Sequence, residues 1–540
     1  MKLHRFPVYC LTAALGLATV LFLLSCGGGA TNADDPLRIV AGSESKEIEH
    51  IIMAWADDNN LAVEMHYKGS VDMMLDMQQE SFAFDAVLPA NSMWIRLGDA
   101  ELHRVKDEAS IMRSPVVLGV KKSIAEQLGW VGTEVSVNDL LEAVRSGQLS
   151  FAMTSSTQSN SGASAYMGLL YALAGRPEAL TSEHLADPEL GQNIRDLLGG
   201  IDRSSGSSGW LKEMFLEKYD SLDAMFNYES MIISVNQELV RQGREPLYAI
   251  YLTDGQAIAD STLGFVSKPD NAHKREMFVQ LRDYLLTPEA QEQIFQTGFR
   301  TALIGMNPEN PDTSVYNPAW GIDLDRTITP ITWPRPEVTM EALQLYQTSF
   351  RKPSQTVYLL DVSGSMEGQG LNQLKQAMLG LLNQENAGRY LLQASADDVI
   401  VVIPFNDRVV DVWMVQGNDS KDITDLMNRI ASLQAGGGTD IYQPIIAGLQ
   451  LFSQVGRDLN DYLPAIVLLT DGRSQSGSLY DVQNAWSSLR APFELPPVFC
   501  VTFGDADDSQ LKEIAEYTVA RVFDGRHGLE AAFRKAKGYN

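Results

Sequence analysis

Three short stretches, each closing an apolar or glycine-rich run, constrain the back half of this chain more than anything else in it. The β-type run Thr356-Val357-Tyr358-Leu359-Leu360 leads directly into Asp361-Val362-Ser363-Gly364-Ser365-Met366. In extended backbone, residues i, i+2 and i+4 point the same way, so Asp361, Ser363 and Ser365 aim one carboxylate and two hydroxyls at one point. Further on, Gly436-Gly437-Gly438-Thr439-Asp440 is a glycine loop that opens a helix and offers the Thr439 hydroxyl. Ala465-Ile466-Val467-Leu468-Leu469-Thr470-Asp471-Gly472 reads as a buried strand ending in a carboxylate and a turn. Hard oxygen donors of this kind suit Mg²⁺, Mn²⁺ or Ca²⁺ rather than zinc. In a doubly wound sheet the loops at the carboxyl ends of the strands form one crevice, which is how donors so far apart in sequence would meet.

The set resembles the von Willebrand factor type A domain with its metal-ion-dependent adhesion site, over about 353–540, and every position of that pattern is filled. The resemblance implies a Rossmann-like α/β domain in which Asp361, Ser363, Ser365, Thr439 and Asp471 hold Mg²⁺ (or Mn²⁺ or Ca²⁺). Two serines and a threonine are neutral ligands, and a site of this type holds one or both aspartates through water. The cation then keeps net positive charge and an open position, which a partner's Asp or Glu can fill. The alternative is an empty site kept as fold scaffolding. Asp440 is expected to cap its helix rather than bind metal, and Asp505, Asp507 and Asp508 read as a solvated loop and helix start.

The front half alternates strands and helices. Leu37–Gly42 reads as a strand, Ser43-Glu44-Ser45-Lys46 as a well-capped helix start, and Ile48 to Asp58 as the helix. Ala62–Tyr67, Gly69-Ser70 with a second helix, and Ala86–Pro89 continue a βαβα order that calls for a parallel sheet. Later landmarks are Ser159-Asn160-Ser161-Gly162 at a helix start, Tyr228-Glu229-Ser230, Thr287 to Gln291, and Gly298-Phe299-Arg300. Together these resemble bacterial extracellular solute-binding proteins of the two-lobed type, near the molybdate- and phosphate-binding branches. The resemblance implies a periplasmic-binding-protein-like domain over 37–305, with lobe 1 at about 37–115 and 250–305 and lobe 2 at about 116–249. Helix N-termini with hydroxyls can hold an oxyanion, which makes Ser43, Ser45, Ser70, Ser159, Ser161 and Gly162 the candidate solute-binding residues. Ordinary helix caps are the competing reading. Residues 306–352, rich in proline (Pro308, Pro311, Pro318, Pro330, Pro334, Pro336), read as an extended linker with one short helix near 337–349.

The first residues are an address. Lys2 and Arg5 precede the apolar run Val8 to Leu24, which ends in Leu23-Leu24-Ser25-Cys26. This resembles a bacterial lipobox, implying a signal peptide over 1–25, cleavage before Cys26, and a palmitate-bearing lipid on its thiol. An uncleaved anchor helix is the alternative, but a glycine-rich tether over 26–36 follows at once. Either way the body lies outside the cytoplasm, lipid-anchored to the cell membrane on the lipobox reading. Once Cys10 is in the leader and Cys26 carries lipid, only Cys500 remains, so the folds stand on their cores without an internal disulfide. Cys500 lies in a buried-strand pattern and is expected to be core filler.

A net charge of −27 argues against nucleic-acid binding, which needs clustered Lys and Arg. The sequence holds no Gly-x-Ser-x-Gly elbow, no His-Glu-x-x-His and no Walker-type loop, and its histidines share no ligand spacing. An enzyme is therefore not expected. The reading is a cell-envelope lipoprotein whose metal-dependent module captures a protein partner through a carboxylate. The alternative is a receptor that delivers a small solute, such as an oxyanion, to a membrane transporter.

Overall fold

The computed structural model describes residues 35–301, 311–454, 459–489, 493–504, 506–526 and 528–538. The leader, Cys26, most of the tether, Pro308, Asp505 and His527 lie outside the described residues.

Three sheets organise the rest. The first runs, edge to edge, Val63–Tyr67, Leu37–Ala41, Ala86–Leu88, Thr262–Val266 and Val105–Ser110. Its first three strands are parallel, as the βαβα order requires, whereas Thr262–Val266 enters antiparallel to both neighbours. The helix Glu49–Asp58 covers it with Ile51, Ile52, Trp55 and Ala56, an apolar face at the i, i+1, i+4, i+5 spacing of a helical stripe. The Ser43 region differs from expectation. Residues Ser43–Ile48 form a 3₁₀ turn, and the capping position is Gly42, with no side-chain cap.

The second sheet is built on the long strand Met112–Lys121, which pairs with Ile258–Ala259, Ala224–Tyr228, Leu247–Ile250 and Arg300–Thr301. Phe151–Thr154 and Ile201–Ser205 extend it. The chain thus passes from the first sheet to the second at 110–112 and returns at 259–262. Near that return, Arg300 forks onto buried Glu229 at 2.9 and 2.8 Å, and the Tyr251 hydroxyl donates to the same carboxylate.

The proline-rich stretch is not a free spacer over its described part. A helix Pro336–Leu345, with proline in its first turn, runs into a π turn Tyr346–Phe350. Ile331, Ala342, Leu343, Tyr346 and Phe350 are buried in the core of the second sheet's lobe. The Tyr166 hydroxyl donates to the carbonyl of Ala342 at 2.9 Å. Burial of these side chains outweighs the extended preference of the prolines between them.

The third sheet reads Trp413–Gln416, Val399–Phe405, Ser354–Asp361, Leu463–Thr470, Val498–Thr502 and Val522–Asp524, parallel except for its first strand. Its two central strands are almost continuously apolar because helices cover both faces. Val357 and Leu359 pack on one side with Ile445 and Leu449, and Tyr358 and Leu360 on the other with Leu374 and Phe533. From Ser354–Asp361 the chain winds outward to one edge, then crosses back to Leu463–Thr470 and winds to the other. The strand order therefore reverses between these two neighbours, which opens a crevice at their carboxyl ends.

Candidate functional site

Asp361 and Thr470 come side by side at that crevice, since their strands run parallel with Leu360 opposite Leu469. Asp361 is fully buried. One of its oxygens accepts the Ser363 N–H at 2.8 Å and the other the Thr470 hydroxyl at 2.6 Å. Burial pushes this carboxyl above the usual range, and the like charge of Asp471 pushes the same way. Ser363 Oγ lies 3.1 Å from Ser365 Oγ, which donates to Asp471 at 2.8 Å. A β-carbon on Gly472 would stand 3.4 Å from Ser365 Oγ and 3.6 Å from Thr439 Oγ1, so both hydroxyls face one place. The fold thus brings Asp361, Ser363, Ser365, Thr439 and Asp471 together, with exposed Ser365 and half-buried Asp471 opening the group to solvent. Two carboxylates and three hydroxyls gathered at one crevice, buried at Asp361 and open to solvent at Ser365, make a donor set that a hard divalent cation fits. Among the described residues no three His, Cys, Asp or Glu side chains cluster as metal ligands.

The glycine loop is clamped onto this group by backbone. Gly436 N–H donates to Val362 O at 2.8 Å, and Gly364 N–H to Gly437 O at 3.0 Å. Asn406, at the end of the neighbouring strand, donates its side-chain amide to Gly436 O at 2.8 Å, and its backbone carbonyl accepts from Asp440 N–H at 2.8 Å. Gly437 has φ +89°, and a β-carbon there would lie 2.8 Å from Asn406 Nδ2, so only glycine fits. Asp440 caps its helix, accepting from Tyr442 and Gln443 N–H at 3.0 and 3.1 Å. Asp507 caps the helix Asp508–Tyr517 in the same way. Cys500 is buried in strand core, where burial pushes its thiol far up. Sequence reading missed Thr470 and Asn406. Both stand at carboxyl ends of strands flanking the crevice, and that position was the available signal.

The candidate solute residues meet where the two lobes touch. Ser43 Oγ accepts the Gly209 N–H at 3.0 Å across the seam, while Ser70 Oγ accepts the Ala90 N–H at 3.1 Å within its own lobe. Ser161 Oγ lies 2.8 Å from both Thr154 Oγ1 and Ser208 Oγ, and Ser159 Oγ lies 3.2 Å from Ser208 Oγ. Gly162 packs where a β-carbon would be 2.0 Å from Thr154 O. None of the three helix starts involved has a side-chain cap, so capping is not what these hydroxyls do. Ser45 Oγ and Glu44 Oε1 are buried beside the seam with no partner, and burial raises the Glu44 carboxyl to about 7. The lobes are shut directly on one another: Val71 N–H donates to Gln158 O at 3.1 Å, Trp94 Nε1–H to Asn160 Oδ1 at 2.7 Å, and Lys212 pairs with Glu47 at 2.7 Å.

Two family models match this chain: bacterial extracellular solute-binding protein over residues 37–300, and von Willebrand factor type A domain over 357–526. An uncharacterized protein of Synechocystis sp. is 32% identical over 127 residues, covering 24% of this chain and 27% of that one. The human inter-alpha-trypsin inhibitor heavy chain H1 is 25% identical over 167 residues, covering 29% and 17%. The chain therefore spans about a quarter or less of these relatives. A ferric binding protein from Campylobacter jejuni superposes with a TM-score of 0.41 at 14% identity, covering 57% of this chain and 98% of that one.

Proposed function

For a chain that joins a bacterial extracellular solute-binding domain (37–300) to a von Willebrand factor type A domain (357–526), we propose that the second domain captures a protein partner through a divalent cation. Asp361, Ser363, Ser365, Thr439 and Asp471 hold Mg²⁺, Mn²⁺ or Ca²⁺, and a partner's Asp or Glu fills the remaining position. The cation would supply a positive centre for that carboxylate; the chain's own residues position it and keep one side open. What carries this reading is the convergence of five oxygen side chains at the strand-order reversal, with Ser365 reaching Asp471 at 2.8 Å.

The solute-binding domain suggests an extracytoplasmic location. No helix among the described residues is long and apolar enough to cross a membrane. We place the protein at the cell envelope, held by lipid on Cys26 after removal of residues 1–25. On this assignment the chain divides as a tether over 26–36, the solute-binding domain over 37–305, a connection over 306–352 and the metal-binding domain over 353–540. It acts by binding rather than catalysis.

A second reading is favoured by one specific observation. Buried polar atoms of Ser45 and Glu44 stand without partners beside a seam where both lobes contribute hydroxyls. A receptor whose cleft near Ser43, Ser45, Ser70, Ser159, Ser161 and Gly162 takes a small solute for a transporter would use such a seam.

Native mass spectrometry of the protein beginning at Cys26 or Gly27, with and without EDTA, tests both. A metal-sized mass removed by EDTA supports the capture reading. Its absence with Mg²⁺ added in excess overturns that reading. A small-molecule mass that survives EDTA supports the receptor reading.

A further inference from the structure

The metal-binding domain is seated on the rim of the shut cleft, and it touches both lobes. Its last described helix, Leu529–Gly538, lies there. On the side of the first lobe, Asp72 and Leu75 line a cavity together with Ala531, Arg534 and Lys535. A neighbouring cavity of about 410 Å³ is walled by Lys68 and Asp72 of the first lobe, Ser207 and Trp210 of the second, and Ala531 and Lys535 of this helix. Charge is complementary across the rim. Asp72 and Asp76 line one cavity with Arg534 and Lys535; burial and the Asp76 charge raise the Asp72 carboxyl to about 6, and the charges of Lys68, Lys535 and Arg534 oppose that rise.

On the side of the second lobe the contact is apolar and hydrogen-bonded. Trp210 packs edge-on against Phe499 with ring centres 6.1 Å apart. Arg203 donates to Val519 O at 3.3 Å, and Lys218 pairs with Glu494 at 2.7 Å. One residue joins all three bodies. Gln158 of the second lobe accepts Val71 N–H of the first through its backbone carbonyl, and its side-chain amide donates to Arg534 O at 3.5 Å. The Arg534 guanidinium lies 3.7 Å over the Tyr390 ring, which ties that turn of helix back to its own domain.

We propose that the helix Leu529–Gly538 is a latch on the cleft: docked, it holds the two lobes closed across Gln158, and the lobes part only when the metal-binding domain leaves the rim. A body fixed to both jaws of a hinge adds its docking free energy to the closed state. Any partner that draws the domain away therefore opens the cleft, and any ligand that favours the open cleft releases the domain, by the same factor. Solute delivery on the second reading above would be gated in this way. The latch itself is a contact between this helix and the lobes and can be measured with no solute present.

Two amides report lobe closure directly, Val71 N–H bonded to Gln158 O and Gly209 N–H bonded to Ser43 Oγ. Lys535→Glu places a further negative charge beside Asp72 and Asp76 and should unseat the helix. Hydrogen–deuterium exchange on the full chain should then show about ten-fold or faster exchange in the peptides carrying Val71 and Gly209, with the strand Ser354–Asp361 still protected. Wild-type exchange at both amides in the folded variant overturns the latch. Should Lys535→Glu cost the domain its fold, Lys218→Glu breaks the pair with Glu494 and leaves the helix intact. Faster exchange at the same two amides in that variant supports the latch, and unchanged exchange overturns it. Rim amides that loosen in a protein that never binds a solute leave the latch standing and remove only the receptor reading.

Discussion

At the residue scale, the site is set as much by what holds its donors as by the donors themselves. Thr470 donates its hydroxyl to one oxygen of Asp361 at 2.6 Å, fixing the carboxylate's rotation. Partners of this outer kind are worth roughly ten- to hundred-fold in metal affinity. Thr470→Val should weaken divalent binding by that amount in a calorimetric titration, with the strand still formed. Asp361→Ala should abolish it: the stabilisation on adding Mg²⁺, about 3 kcal/mol at a hundred times the dissociation constant and read as a rise in melting temperature, should disappear. Glu44 carries a prediction of opposite character. Burial raises its carboxyl from 4.5 to about 7, so the folded state holds a proton that the unfolded state releases. Its stabilising contribution is full below the unfolded value and is lost as pH rises through about 7, a swing on the order of 3 kcal/mol. Glu44→Gln should therefore flatten the decline in stability between about pH 5 and about pH 8, read by urea unfolding at each pH.

Elements show where local pattern and tertiary demand part company. The helix Val137–Arg145 has a capping box, Ser136 accepting from the chain and Asp139 returning the bond. At Ser43 the same kind of cue fails. The hydroxyl is spent on Gly209 across the seam, and Gly42 is the capping position, where a β-carbon would strike Glu44. The glycine loop is an element in which backbone alone is decisive. Gly437→Ala forces a side chain into a left-handed conformation and against Asn406, at a cost of about 1–2 kcal/mol. The expected signature is lower thermal stability together with weaker divalent binding, because the loop that carries Thr439 shifts. Unchanged metal affinity in that variant would separate the loop from the site.

On the scale of the whole molecule, two devices join parts distant in sequence. Arg300 ties the returning chain to Glu229 in the core of the second lobe, and its guanidinium reaches the carbonyl of Asp323 at 2.9 Å. Burial disfavours its charge, but Glu229 outweighs that and raises the Arg300 pKa. Arg300→Met would leave Glu229 buried and uncompensated, a loss of about 3–5 kcal/mol in denaturant unfolding. The connection 311–352 is the second device. It was legible as proline-rich, but its apolar side chains bury in the second lobe, which brings the next domain in close rather than holding it at a distance.

Local pattern by itself determined the sheet-and-helix alternation, the family resemblance of both halves, and the choice of five candidate oxygen donors. Those features rest on interactions within a few residues, on strand periodicity, on glycine at a turn, and on hydroxyls spaced along one loop. The tertiary structure alone decided that Thr470 and Asn406 stand beside the candidate donors, that Ser43 bonds across the lobes instead of capping, and that one helix spans the cleft rim. Each of these depends on which strand lies beside which, or which surface meets which. Contacts between residues hundreds apart follow from packing of the whole chain and leave no mark in any short stretch of it.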